Sequence, residues 1–450
     1  MAMKPREERA LEALRALLAD MARHVRANVE VRLWDGSLVP LGGRQDAREK
    51  PAIIVIRDPA AIARVVRKPS LVTLFEVAAN GAVDVEGLSP LRAFRRWDHL
   101  EVVNYVRGLG ARGLLARLWP FLLLPGTPGP SAAFAGQGTR AEVQHHYDVS
   151  NAFYRLFLDE RMVYSCAWFE REDMTLDEAQ AAKLETCCRK LRLREGMRLL
   201  DIGCGWGALA IHAARHHGAR VTGITLSEEQ HALAVERVEQ AGLADRIDIR
   251  LADWREVEGG ERFDAVVQVG MFEHVAAKDQ KDFLDTIYRL LVPGGRYLHH
   301  AITMHATKAT RRHGPYRKVI DRYIFPGGQL DHIGQTLASI EKAKFEIHDV
   351  EGWRRHYART CAEWHERLFA RREEAVAEVG PVLTRTWLLY LAMVAVGFER
   401  NITCIFQTVA TKRAHGEPDM PRSRADLYRE PIVPDDVGTV HGDAGLETGE

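Results

Sequence analysis

Leu199-Leu200-Asp201-Ile202-Gly203-Cys204-Gly205-Trp206-Gly207 places an apolar run, an acidic residue and three alternate glycines ahead of an alanine-rich segment, Ala208 to Arg215. That order predicts a buried strand, a sharp turn and a helix. Glycine carries no Cβ, so the backbone can turn tightly there and approach a ligand closely. No Lys-Ser/Thr follows the glycines, as a triphosphate cradle would need, and G-x-G-x-G is not the dinucleotide spacing G-x-G-x-x-G. A plain tight turn is the competing reading, and the surrounding sequence decides between them.

Outward from the turn, strand-like and helix-like segments alternate from Arg198 to Ile302, the pattern of a parallel sheet covered by helices. Strands are expected near 197–201, 219–224, 247–251, 264–269 and 295–302. Ligands of open α/β sheets sit outside the carboxyl ends of the strands. Unusual segments fall at those ends: the glycine turn, Gly223-Ile224-Thr225-Leu226-Ser227-Glu228-Glu229-Gln230, Asp253-Trp254, Val269-Gly270-Met271-Phe272-Glu273-His274-Val275 and His299-His300-Ala301-Ile302. Stability alone does not explain polar groups converging on successive strand ends. The site that fits them is the nucleoside and methionine pocket of a Rossmann-like methyltransferase using S-adenosylmethionine.

The remainder of the chain divides by composition. Residues 1–124 read as a small α+β domain, with an amphipathic helix over Arg6 to Arg26 and alternating segments at Val29 to Trp34 and Ala52 to Arg57. Asp35-Gly36 is a hairpin signal between strands, and apolar helices follow at Pro59 to Val66 and across Arg92 to Leu124. Residues 125–141, rich in Gly and Pro, read as a flexible linker, and 142–412 as the catalytic domain. Within it, 309–412 is expected to be a helical lid, and the acidic 413–450 a disordered tail.

A formal net charge of zero over 450 residues gives no bulk field that would argue for nucleic acid. Six cysteines without C-x-x-C spacing suit free thiols in a reducing cytosol better than disulfides or a zinc site, so no metal is expected. The longest apolar runs, Leu114 to Leu124 and Trp387 to Phe398, fall short of the roughly 20 residues that span a bilayer. Both are expected to be core helices, or the wall of a groove that admits an acyl chain. The charged N-terminus lacks an apolar signal core, so a cytoplasmic protein, peripheral to the inner face of the membrane, is expected. Lys4, Arg6, Arg9, Arg15, Arg23 and Arg26 offer either a solvated face or a contact with anionic headgroups.

The catalytic domain resembles the cyclopropane fatty-acyl-phospholipid synthases. The resemblance rests on His145-His-Tyr-Asp-Val-Ser-Asn151, Tyr164-Ser-Cys-Ala-Trp-Phe169, Asp201 to Gly207, Val269 to Val275, Tyr323-Ile-Phe-Pro-Gly-Gly328 and Tyr357-Ala-Arg-Thr360. It implies an α/β, Rossmann-like class I methyltransferase fold with a mainly parallel seven-stranded sheet and a helical lid. It implies S-adenosylmethionine contacts at Tyr164, Ser165, Asp201, Gly203, Gly205, Thr225, Gln230 and Trp254. Cys166, Glu273, His300, Ile302 and Tyr357 match the cluster with which family members hold a bicarbonate ion. The implied substrate is the unsaturated acyl chain of a membrane phospholipid, and relatives with the extra domain suggest a homodimer.

Chemistry explains such a cluster. An alkene is a poor nucleophile, so the sulfonium must be held in line with the π bond, and fixed geometry can supply several of the roughly 7–11 kcal/mol that orientation offers. The resulting carbocation must lose a proton to close a ring, and a replaceable oxyanion does this without alkylating a side chain. Glu273 would accept from the ion's OH, His300 and the Ile302 amide would donate, and Tyr357 would complete the set. Phe169 or Tyr147 would face the cation. His299 is expected to point away from the site, because adjacent strand residues face opposite sides.

Phe325-Pro-Gly-Gly-Gln-Leu-Asp331 and Cys361 depart from the family pattern near the lid, which bears on acyl positioning and product rather than on cofactor use. A methyl- or methylene-branching acyl methyltransferase is therefore the second reading. A non-enzymatic lipid-binding protein is the third, and the full set of cofactor and anion positions argues against it.

Overall fold

A computed structural model of the chain describes residues 4–42, 49–125, 149–257, 260, 262–305, 314–324, 327–415 and 420–427. The expected linker, His145 to Asp148 and most of the tail lie outside the described residues.

Two sheets organise these residues. The smaller is built from β1 (Val29–Arg32), β2 (Leu38–Pro40), β3 (Ala52–Ile56) and β4 (Val83–Glu86), in the order β2-β1-β3-β4. The Asp35-Gly36 turn joins β1 to β2, whereas β3 pairs with β1 in parallel, so the hairpin signal marks a shorter return strand than expected. The helix Pro5–Met21 packs on this sheet through Ala10, Leu11, Leu14, Leu17, Leu18 and Met21. Of its basic residues and those just after it, Arg15 pairs with Asp35, Arg23 with Asp20 and Arg26 with Glu101. Lys4, Arg6 and Arg9 stay exposed.

The larger sheet carries β5 (Arg198–Ile202), β6 (Arg220–Thr225), β7 (Ile247–Leu251), β8 (Phe263–Val269), β9 (Leu291–Met304), β10 (Phe345–Gly352) and β11 (Thr403–Lys412). Its order is β10-β11-β9-β8-β5-β6-β7, with β5 to β9 parallel and β11 antiparallel to both neighbours. Strand order reverses between β5 and β8, the point at which an open sheet leaves a crevice for ligands. The seven-stranded, mainly parallel sheet is thus present.

The segment 309–412 is not purely a helical lid, because β10 and β11 lie within it and complete the sheet. The lid itself is formed by helices Arg354–Ala370, Arg372–Val379 and Pro381–Glu399. By length and composition the last could cross a membrane, but 67% of its most apolar window is buried inside the fold. Trp387, Leu391, Ala395 and Phe398 are core residues there, as expected.

The small domain docks on these helices. Ser89 Oγ donates to Glu366 Oε1 at 2.7 Å, Arg400 Nη2 donates to the Trp97 carbonyl at 2.7 Å, and Phe75 stacks on Tyr323. The Leu114 to Leu124 run is divided: Leu118, Phe121 and Leu124 are buried, while Leu115, Trp119, Leu122 and Leu123 are exposed. Within the stretch expected to be disordered, residues 420–427 pack on the fold. Leu427 is buried, Arg424 pairs with Asp349 and Glu351, and Asp426 pairs with Arg192.

Candidate functional site

One pocket opens at the carboxyl ends of β5, β6, β7 and β8, and all eight residues expected to contact the cofactor line it: Tyr164, Ser165, Asp201, Gly203, Gly205, Thr225, Gln230 and Trp254. Gly203 has φ +81°, and a Cβ there would stand 2.9 Å from Met271 Cβ, so only glycine fits. Gly205, at φ +56°, would meet nothing within 4 Å, which leaves its backbone open to a ligand. Ser227 caps the helix Glu228–Gln240, and Thr225 Oγ1 donates to Gln230 Oε1 at 2.8 Å, leaving the Gln230 amide N–H pair for the pocket. Trp254 is fixed edge-on against Phe283 at 5.2 Å, with the Arg255 guanidinium over its ring.

Asp201, at the end of β5, is 2% exposed, and burial pushes its carboxyl up to about 7 although Lys183 opposes the shift. Lys183 is itself buried, donates to Ser165 Oγ at 3.1 Å and has its ammonium pushed down by desolvation. Sequence reasoning missed it, along with Gln180, one turn away, whose Nε2 holds the Val163 and Ser165 carbonyls. A lysine inside an otherwise buried helix face was the available signal.

Two residues of the expected anion cluster adjoin the pocket wall in sequence. Cys166 follows Ser165, and Glu273 lies two residues beyond Met271, both wall residues. Glu273 Oε1 accepts from the Ile302 backbone N–H at 2.7 Å, while Oε2 is buried without a hydrogen-bond partner among the described residues. Burial pushes the Glu273 carboxyl up to about 7, against the lowering effect of the Ile302 amide. The Gly270 N–H donates to the His300 carbonyl at 2.9 Å, tying the loop after β8 to β9. Gln268, also buried, accepts from the Met271 and Phe272 amides and shapes that loop.

His300 and Ile302 share one face of β9, and His299 takes the other, as expected. His299 Nδ1 meets the Tyr297 hydroxyl at 2.8 Å and its ring lies against Phe272. His300 is fully buried and desolvation holds its imidazole well below the usual range, so it is neutral. Its tautomer follows from its neighbours. Lys190 Nζ donates to Gln407 Oε1 at 2.8 Å, which turns the Gln407 amide nitrogen toward His300 Nδ1, also at 2.8 Å. Nδ1 therefore accepts and Nε2 carries the proton, and Nε2 is a buried donor with no partner among the described residues.

Trp353 joins the remaining members. Its ring stands edge-on to His300 at 5.2 Å, its carbonyl lies 3.9 Å from Cys166 Sγ, and it accepts the Tyr357 backbone N–H. The Tyr357 hydroxyl is pushed up by burial first, then by the nearby Cys361, Tyr390, Cys166 and Glu273. Burial likewise keeps Cys166 a protonated thiol. The Arg359 guanidinium covers one face of the Phe169 ring, 4.0 Å from its centroid. Tyr147 lies outside the described residues. The aromatic wall beside the pocket is instead Tyr164, whose ring lies 5.0 Å from Trp364 and 5.4 Å from Tyr154.

The arrangement can seat a nucleoside, hold a cationic centre near aromatic rings, and bind a small oxyanion that both accepts and donates. The family described as mycolic acid cyclopropane synthetase matches residues 136–408. A probable fatty acid methyltransferase of Pseudomonas putida is 38% identical over 403 residues, covering 89% of this chain and 96% of the relative. Cyclopropane mycolic acid synthase 3 of Mycobacterium tuberculosis is 36% identical over 278 residues, covering 60% of this chain and 96% of its own. Among solved structures, the cyclopropane synthase MmaA2 from Mycobacterium tuberculosis is 35% identical with a TM-score of 0.58, over 62% of this chain and 99% of that one. The mycolic acid cyclopropane synthase CmaA1, solved with SAH and CTAB, is 34% identical with a TM-score of 0.59, over 61% and 99% of the two chains.

Proposed function

The chain belongs to the mycolic acid cyclopropane synthetase family of S-adenosylmethionine-dependent methyltransferases, which act on fatty acyl or mycolic acid chains, and on that premise we propose a cyclopropane-forming reaction on unsaturated phospholipid acyl chains, assisted by bicarbonate. The observation that carries this reading is two buried polar atoms with no hydrogen-bond partner among the described residues, Glu273 Oε2 and His300 Nε2. An unpaired acceptor together with an unpaired donor is the complement of a bicarbonate ion, which has one O–H to give and oxygens that accept. A desolvated pair of this kind is costly unless a ligand satisfies it.

When bound, S-adenosylmethionine supplies an electrophilic methyl carbon, and bicarbonate supplies a replaceable oxygen base. The protein does the positioning. Gly203 and Gly205 let the backbone approach the cofactor, and Thr225, Gln230 and Trp254 hold its nucleoside end. Glu273, its Oε1 fixed by the Ile302 amide, orients the anion's hydroxyl with Oε2, and His300 donates from Nε2. Tyr164, Trp364 and Tyr154 stabilise positive charge on the acyl chain by about 0.5–2 kcal/mol per ring. Burial of this wall excludes water, which would otherwise capture the cation.

A methyl- or methylene-branched product is the second reading. It is favoured by the Pseudomonas putida relative, which matches 89% of this chain and is named a probable fatty acid methyltransferase. We place the enzyme at the inner face of the membrane, supported by exposed Leu115, Trp119, Leu122 and Leu123 together with Lys4, Arg6 and Arg9. Incubation with methyl-labelled cofactor and mono-unsaturated phospholipid vesicles separates the readings. A cyclopropane shows strongly upfield ring protons and retains no alkene, a branched alkene shows vinyl signals, and no label in the lipid refutes both.

A further inference from the structure

A second group of chemically potent side chains lies outside the reaction site, between the helices Leu176–Leu191 and Ala208–His217. We propose that Cys188, His212 and His217, with Glu185 as fourth ligand, form a zinc site. The candidate ligand atoms of Cys188, His212 and His217 all lie within 4.8 Å of one another. Glu185 Oε2 stands 2.9 Å from His212 Nε2 and 2.9 Å from His217 Nε2, so both rings aim one nitrogen at the same point. Tetrahedral zinc, with bonds of about 2.0–2.3 Å, separates its ligand atoms by roughly 3.3–3.7 Å. The carboxylate–imidazole distances need to open by a few tenths of an ångström, the sulfur–imidazole distances need to close by at most about 1.5 Å, and the Glu185 carboxylate moves in with them.

The donor chemistry fits one divalent ion. A Cys188 thiolate and the Glu185 carboxylate together balance two positive charges, and two neutral imidazoles complete four ligands. Glu185 Oε1 accepts from Arg189 Nε at 2.7 Å, which fixes the carboxylate so that Oε2 faces the histidines, the usual role of an outer partner to a metal ligand. His216 lies against the His212 ring at 4.5 Å and steadies it. Cys188 is fully buried, and its sulfur makes no hydrogen bond among the described residues. The side chains of Glu185, His212 and His217 keep 14–17% exposure, so the ion has a way in.

The location gives the metal a purpose. The helix Leu176–Leu191 carries Lys183 and Gln180, which hold Ser165 in the cofactor pocket. The helix Ala208–His217 begins immediately after the glycine turn. A bond between these two helices fastens two supports of the pocket to each other, and its binding free energy appears as folding free energy. Cysteine spacing gave no hint of this, because the ligands come from an i, i+3 pair and an i, i+5 pair on separate helices.

The test uses the full chain, stripped with a chelator and titrated with cobalt(II) as a spectroscopic probe. Wild type is expected to retain one cobalt per chain after desalting, with tetrahedral d–d bands and a thiolate-to-cobalt charge-transfer absorption that zinc displaces. Cys188→Ala and Cys188→Ser lose the charge-transfer band, and the thermal midpoint of wild type, not of these variants, rises when zinc is added. His212→Ala and His217→Ala weaken cobalt binding by more than the roughly tenfold cost of losing an outer partner. No retained cobalt in wild type, or a charge-transfer band unchanged in either Cys188 variant, overturns the proposal and leaves Glu185 as an anchor for two histidines. Should the alanine variant not fold, the serine variant, nearly the same size, gives the same reading.

Discussion

Glu273→Gln should separate catalysis from stability in opposite directions. The carboxyl is fully buried and pushed from its ordinary 4.5 up to about 7, chiefly by desolvation. A raised carboxyl means the native state holds a proton that the unfolded chain has released between about pH 4.5 and 7. The group's contribution is therefore complete below the unfolded value and is lost as pH rises through about 7. The shift corresponds to about 3 kcal/mol at pH 8. Glutamine keeps the shape and can still accept the Ile302 amide, but it never ionises. Its buried NH2 adds a roughly constant cost of about 1–3 kcal/mol.

The informative quantity is thus the change with pH. Relative to wild type, the variant should gain about 2.5 kcal/mol between pH 5 and pH 8, seen as a relative rise in thermal midpoint of a few °C. Over the same range, transfer of label from cofactor to lipid should fall by about 10²–10⁴. S-adenosylhomocysteine affinity, measured by calorimetry, should stay unchanged. A parallel pH–stability curve for wild type and variant would refute the burial argument. Intact turnover would refute the anion role, and lost cofactor binding would show that Glu273 belongs to the pocket instead.

Further outcomes follow from other parts of the site. Gln407→Leu frees the His300 tautomer, so nitrogen NMR should show Nδ1 protonation and turnover should fall about tenfold, with cofactor affinity retained; an unchanged nitrogen spectrum contradicts the relay. Gly203→Ala places a methyl 2.9 Å from Met271 Cβ at φ +81°, and should cost about 1–3 kcal/mol or more in stability and abolish cofactor binding. Asp201, pushed up to about 7 in a pocket that receives a sulfonium, should make S-adenosylmethionine bind more weakly as pH falls below about 7, by up to about tenfold per unit. Calorimetry in two buffers would register proton release on binding in that range, and Asp201→Asn should abolish both effects.

The cofactor half of the site was legible because it is written in strand ends. Five strands were placed within a residue or two at their pocket ends, and glycines, caps and polar residues cluster there for backbone reasons visible in sequence. The rest depends on contacts between distant segments. β11 is buried on both faces and mixes polar with apolar residues along its length, so it lacks the alternation that would separate it from a lid helix. Lys190 and Gln407 stand 217 residues apart, and their meeting fixes the His300 tautomer. Arg359, from a lid helix, covers one face of the Phe169 ring, a long-range contact that no local pattern shows. The Cys188 and histidine group escaped for the same reason, since helical packing rather than spacing assembles it.

The central claim is that an exchangeable oxyanion beside Glu273 and His300 removes the proton that closes the ring. Its most direct measurement is the initial rate of ring formation on mono-unsaturated phospholipid vesicles, using enzyme and buffers depleted of bicarbonate and then resupplied. The account predicts a rate that climbs saturably with added bicarbonate in wild type, and no such rise in Glu273→Gln. Ring formation at full rate in depleted buffer, indifferent to the ion, would contradict it.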